Sequence, residues 1–183
     1  CRCARLWLHT AFSSPPQIEQ PNFRIYKKKL IISFKEPLKD SVTYTLLFRD
    51  AIQDFNERNP IPNFKFIFST GQVLDSLSIS GYIQSAFDYT PQGEVFVMIY
   101  ERDIDSLPYK EIPDYIALTD TSGYFSISNI KPANYKIFAL KDKNFNMKYD
   151  APGEQIAFLD SLIFPTAKLH VLIDTLKIDS IIK

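Results

Sequence analysis

The stretch TDTSGYFSISNIKPANYKIFAL, residues 119–140, decides the fold. Asp120, Ser122 and Gly123 supply a tight turn, Phe125 and Ile127 alternate with serines on the strand that leaves it, and Lys131-Pro132 turns the chain into a strand bearing Tyr135, Ile137 and Ala139. Spacing of period two sends alternate side chains to opposite faces of a sheet, so this stretch reads as two legs of a meander. The same signal spreads outward. In LSISGYI (77–83), Leu77, Ile79, Gly81 and Ile83 align, while VFVMIY (95–100) and YIALT (115–119) are apolar on both faces, as central strands are. Between those two, ERDIDSLPYKEIPD (101–114) is long and interrupted by proline, which marks a surface loop suited to recognition.

Towards the N-terminus, Leu30, Ile32 and Phe34 share one face, as do Tyr44, Leu46 and Phe48. In FKFIFS (64–69), Phe64, Phe66 and Phe68 point one way while Lys65 and Ser69 point the other, so the three phenylalanines are expected to be buried together. AIQDFNERNPIPN (51–63) reads as a long loop with one helical turn at Ala51–Phe55. Residues 1–12 show no regular pattern, and SSPPQIEQP (13–21) reads as an extended connector because each proline fixes φ and removes a donor. No segment keeps a helical period beyond a turn or two, so the fold class is all-β, with tandem β-sandwiches.

Composition agrees, with 15 Phe, 10 Tyr and 12 Pro against one Trp and two Met. Twenty-one basic and 21 acidic residues cancel, which argues against a nucleic-acid partner. Two cysteines and two histidines cannot build a zinc or iron–sulfur site, and Cys1 and Cys3 stand too close to bridge without severe strain. No apolar run reaches the ~18 residues of a membrane-spanning helix. A chain beginning at Cys1 either matches a processed bacterial lipoprotein, with acyl chains on that residue, or starts there arbitrarily.

The string VTYTLLFRDAIQDFNERNPIPNFKFIFSTG (42–71) resembles the closing half of the bacterial Ig-like domain named after the SbsA surface-layer protein, with its Thr-Tyr-Thr strand, Ile-x-Asp loop and Phe-x-Phe-x-Thr-Gly strand. SLSISGYI (76–83) through SGYFSISNIKPANYKIFALKDKNFNMKYD (122–150) is similar to the transthyretin-like, or carboxypeptidase-regulatory-like, sandwich, with its Gly-x-Phe turn and Tyr-x-Ile-x-Ala strand. The tandem order resembles Ig-like-domain lipoproteins of the Bacteroidota outer membrane. That resemblance implies an anchor and connector over 1–22, a partial Ig-like domain over 23–71, a transthyretin-like sandwich over 72–165, and a linker or the start of a further segment over 166–183. The resembled proteins carry a complete first Ig-like half and continue past the second module, so the chain reads as a fragment whose phenylalanine face awaits missing strands or a partner.

For chemistry, the densest cluster is Asp142, Asn144, Asn146 and Asp150, with Glu154 beyond, in KDKNFNMKYDAPGE (141–154). Oxygens at alternating loop positions can converge on Ca²⁺, and the spacing imitates an EF-hand loop as far as Asp150. Met147 then stands where that loop needs glycine and Gly153 where it needs its final glutamate, so a ladder of Asx turns is the competing reading. His9 and His170 have no nucleophile motif beside them, and Glu101 with Asp103 reads as solvated charge, so no enzyme activity is expected. Lys27, Lys28 and Lys29 with Arg24 read as an edge protected from aggregation. The expectation is a surface-exposed outer-membrane lipoprotein, held by its lipid anchor, that scaffolds or docks onto a β-barrel assembly or other surface lipoproteins. The alternative is a carbohydrate-binding module using Tyr89, Tyr100 and Tyr109 as a stacking platform.

Overall fold

Strand follows strand along almost the whole chain, because alternation and β-branched or aromatic residues dominate every segment between turns. The computed structural model describes residues 4–6, 12–19, 21–26, 29–48, 51–54, 57, 59, 61 and 64–167. Cys1, His9, His170, Lys27, Lys28 and the tail 171–183 lie outside these, so the expectations placed on them do too. The elements are β1 (Ala4–Leu6), β2 (Phe12–Ser14), β3 (Asn22–Tyr26), β4 (Lys29–Ser33), β5 (Thr43–Leu47), β6 (Ile52–Asp54), β7 (Lys65–Ser69), β8 (Leu77–Tyr82), β9 (Phe96–Tyr100), a one-turn helix α1 (Leu107–Lys110), β10 (Tyr115–Leu118), β11 (Tyr124–Ile130), β12 (Lys136–Lys141), β13 (Gln155–Phe158) and β14 (Thr166–Ala167).

The first half builds a three-stranded sheet, β2-β5-β7, with the hairpin β3-β4 and the pair β1-β6 beside it. Every pairing is antiparallel. Leu46, Phe48 and Ala51 form its core, covered by Phe23, Leu30, Ile32 and Phe34 from the hairpin. The face expected to need missing strands is therefore covered in part by this chain's own residues. Cover reaches only Phe68, which stacks on Tyr44 with ring centroids 5.5 Å apart. Phe64 and Phe66 stay 39% and 48% exposed, which corrects the expectation that all three phenylalanines are buried. β7 stands at the end of its sheet and the hairpin does not extend over those two rings.

Two further expectations change. Ala51–Phe55 does not begin a helical turn: Ala51 N–H donates to Phe48 C=O, and β6 then runs extended because β1 offers it a ladder. Residues 1–12 contain β1 and the start of β2, and the connector is followed by β3. These strands are three to five residues long, and period two is hard to see over three residues.

The second half is a β-sandwich of a four-stranded sheet, β10-β9-β12-β13, and a three-stranded sheet, β11-β8-β14. Val97, Ile99, Tyr115, Ala117 and Ile137 from one sheet meet Ile79, Phe125, Ile127 and Ile130 from the other. The outer face of the four-stranded sheet is apolar as well. There Phe96, Met98, Tyr100, Ile116, Phe138 and Leu140 pack under Leu107 of α1, Phe12 of β2, and Met147 and Tyr149. At the 120–123 turn, Asp120 Oδ1 accepts from Ser122 N–H and Tyr124 N–H at 2.8 and 3.0 Å. Gly123 has φ +76°, and a Cβ there would lie 2.4 Å from Ile83 O, so glycine is required.

A seam of small hydroxyls joins the halves. Thr43 Oγ1 donates to Asp75 Oδ2 at 2.8 Å and accepts from Asp75 N–H, while Asn129 Nδ2 donates to Asp75 C=O. Ser14 Oγ accepts from Ile116 N–H at 3.1 Å across the seam. Thr45, on the same side of β5 as Thr43, is buried with its hydroxyl unpartnered among the described residues.

Candidate functional site

The loop after β12 was the strongest chemical signal, and the fold brings its residues together. Asp142 is buried, and its carboxylate accepts Asn144 N–H (3.0 Å) and Phe145 N–H (2.7 Å) on Oδ1 and Met147 N–H (2.7 Å) on Oδ2. Asn144 Oδ1 then accepts Asn146 N–H, and Asn146 Oδ1 accepts Lys148 N–H, so one Asx turn hands on to the next. Asp150 ties the ladder from outside, accepting Asn144 Nδ2 on one oxygen and Asn146 Nδ2 on the other, at 3.1 and 2.8 Å. Phe145 and Met147 take φ near +60°, the left-handed geometry that such turns impose.

Glu154 closes the loop. It accepts Lys143 N–H on Oε1 and Asp150 and Ala151 N–H on Oε2. Burial pushes its pKa up, but these three backbone donors outweigh that and hold the carboxyl below its ordinary range. Among the described residues, no group of three or more His, Cys, Asp or Glu side chains comes together here. The physical work visible in the loop is to carry Met147 and Tyr149 onto the outer core: Tyr149 N–H donates to Pro108 C=O, and its ring meets Tyr109 edge-on at 5.2 Å.

The 101–114 loop is held by charge. Lys136 Nζ, almost fully buried, lies 3.2 Å from Asp103 Oδ1 and 3.1 Å from Asp105 Oδ1, and donates to Asp160 C=O. Its pKa is raised, first by the hydrogen bond to Asp105 and then by Asp103, against the cost of burial. Arg102 pairs with Glu111, and Glu101 N–H donates to Asp114. Asp103 is thus engaged by Lys136, and Glu101 joins this loop through its backbone N–H.

Comparison with protein-family models, curated proteins and solved structures finds no match to this chain. The functional reading therefore rests on geometry and on the residue patterns described above.

The three tyrosines do not form one platform. Tyr100 is buried in the outer core with its hydroxyl donating to Glu111 C=O, and Tyr89 and Tyr109 flank β9 on opposite sides in sequence, before and after it. What the sequence reading missed is a strip of exposed apolar side chains, Phe158, Leu159, Leu162 and Phe164, on the end strand β13 and the crossover to β14. The signal was present in AFLDSLIF (157–164), an apolar run without strict alternation, but apolar runs ordinarily mark core. The strip flanks an open cleft of about 290 Å³ whose walls include Ile79, Phe125 and Ile163.

Proposed function

We propose that this chain is a non-enzymatic docking module of the bacterial cell surface, seating against an outer-membrane β-barrel assembly. One observation carries the reading: four large apolar side chains, Phe158, Leu159, Leu162 and Phe164, stand exposed in one short stretch of chain. Leaving such a strip in water is unfavourable by about 25 cal/mol per Å², and soluble surfaces rarely keep large contiguous patches of this kind without a partner. A β-sandwich braced against the sheets of the first half through Thr43, Asp75 and Ser14 supports a scaffold role over a catalytic one. Surface location rests on the resemblance of residues 42–71 and 76–165 to Ig-like-domain lipoproteins alone.

The test is native purification from membranes in mild detergent, with mass spectrometry of what accompanies the chain. Stoichiometric recovery of a β-barrel protein is expected. Phe158→Asp with Leu162→Asp should lose it while the circular dichroism spectrum and melting midpoint hold. Recovery of no barrel protein by the unaltered chain, or undiminished recovery by the folded double variant, would remove the docking reading.

A further inference from the structure

We infer that the second sandwich carries a saccharide-binding cleft, beside the apolar strip and selective for a short glycan with a uronic-acid unit. An open cleft of about 570 Å³ lies between the loop leaving β8 and the β12-β13 pair. Its floor is shallow-walled because Ala139 and Ala157, both methyl-sized, face each other across the two strands. Around that floor stand Gln84, Ser85, Gln92, Lys141 and Gln155, with Phe87 at the rim. Three side-chain amides in one cleft are unusual for a site that takes an apolar ligand, where polar groups are few. Each amide donates and accepts in one plane, which matches the adjacent hydroxyls of a pyranose.

The amides are also available. Among the described residues, no side-chain hydrogen bond engages Gln84 or Gln155, and both are exposed, whereas Gln92 Nε2 is turned to Thr90. Phe87 is 96% exposed, so its ring packs on almost nothing of its own chain. It is nonetheless displayed from a braced loop. Ser85 N–H donates to Thr90 C=O at 2.9 Å, Tyr89 N–H to Ser85 C=O at 3.0 Å, and Gln92 N–H to Ile83 C=O at 3.0 Å. Asp88 accepts Thr90 N–H and Oγ1–H, and Phe87 N–H donates to Ser85 Oγ. The backbone that carries Phe87 is thus braced, and its exposed aromatic face stands at the cleft, where a sugar ring can stack on it.

Charge narrows the class. Among the described residues the lining holds no carboxylate and one cation, Lys141, so a ligand bearing a carboxylate is favoured over a neutral one. A single lysine does not provide the row of phosphate contacts on which nucleic-acid affinity depends. The cleft adjoins the apolar strip, sharing Ile83, Ala139 and Ala157 with the cleft beside it, but Phe158, Leu159, Leu162 and Phe164 do not line it.

Titration calorimetry of the full chain with galacturonate, mannuronate and glucuronate-containing tetrasaccharides, each beside its carboxyl-reduced counterpart, tests it. At least one acidic tetrasaccharide is expected to bind and to outcompete its reduced form. Phe87→Ala should weaken binding by about tenfold, and Lys141→Gln should erase the acidic preference, about threefold to fivefold. Tyr109→Ala, outside the cleft, should change neither. Both cleft positions are exposed, so the variants are expected to fold, and the melting midpoint checks that they do. Silence from all three acidic tetrasaccharides at millimolar concentration, binding indifferent to Phe87→Ala, or equal binding of a tetra-glutamate peptide would each overturn the assignment.

Discussion

β7 and β9 are strands of equal length, KFIFS with three apolar residues and FVMIY with five, and even the apolar residues of the two have opposite fates. β9 sits between β10 and β12 and is buried at all five positions, because a second sheet covers one face and α1, Phe12 and the 142–154 loop cover the other. β7 ends its sheet and has cover over Phe68 alone. A strand's own pattern sets its register, but its place in the sheet and the length of what lies above it set its burial. The asymmetry extends to the loops: the Asp142 ladder, though partly exposed itself, carries Met147 and Tyr149 onto the outer face of β9 and β12.

The sharpest way to break this contrast is truncation. Ile99→Ala, at a fully buried position, should cost about 2–5 kcal/mol, and Phe66→Ala, with its ring half in water, about 1 kcal/mol. Chemical denaturation reads both, and equal losses would mean that β7 is covered in solution. Next in size, Asp142→Ala strands three backbone donors and should cost about 2–3 kcal/mol. The loss is expected in excess chelator as much as in millimolar Ca²⁺, and a loss confined to Ca²⁺ would place Asp142, Asn144, Asn146 and Asp150 on a cation instead. Gly123→Ala should cost about 1–2 kcal/mol from left-handed strain alone, with the collision at Ile83 O adding to it.

A pH titration probes the doubly covered sheet without mutation. Burial first, then the carboxylates of Asp75, Glu101 and Asp114, push the Tyr115 phenol up to about 12, partly offset by the hydrogen bond at Lys131. A folded-state value above the ordinary 10.0 means that this contribution is whole below pH 10 and is lost as pH climbs from 10 towards 12. Phenolate absorbance should therefore rise together with unfolding across that window, and full ionisation of a chain still folded would contradict the burial. The smallest effect is expected at the seam, where Thr45→Val removes a buried hydroxyl without a described partner and should stabilise by up to about 1 kcal/mol.

Much of the fold was legible in local pattern. Alternation marked β4, β5, β7, β8, β11 and β12, the Asp120–Gly123 turn announced itself through residue types that accept positive φ or cap their own backbone, and the double-sided apolarity of β9 correctly implied cover on both faces. Of the candidate sites, the sequence could show that Asp142, Asn144, Asn146 and Asp150 share one loop, because their alternation is local. It could not show that Gln84, Gln92 and Gln155 share one cleft, because 63 residues separate Gln92 from Gln155 and the pairings of β13 with β12 and of β12 with β9 close that gap.

The short strands β1, β2 and β6 escaped for the same reason, since their stability comes from partners distant along the chain and not from their own period. Sequence alone determined that this is an all-β chain, where its long strands run and which way their side chains alternate, because those properties follow from steric preference and period two. Tertiary structure alone decided which of two apolar faces is covered, why Phe87 and the strip Phe158–Phe164 face water, and that a loop rich in acids serves as the lid of a core. Burial and convergence are properties of what packs above a residue, and no local pattern contains that information.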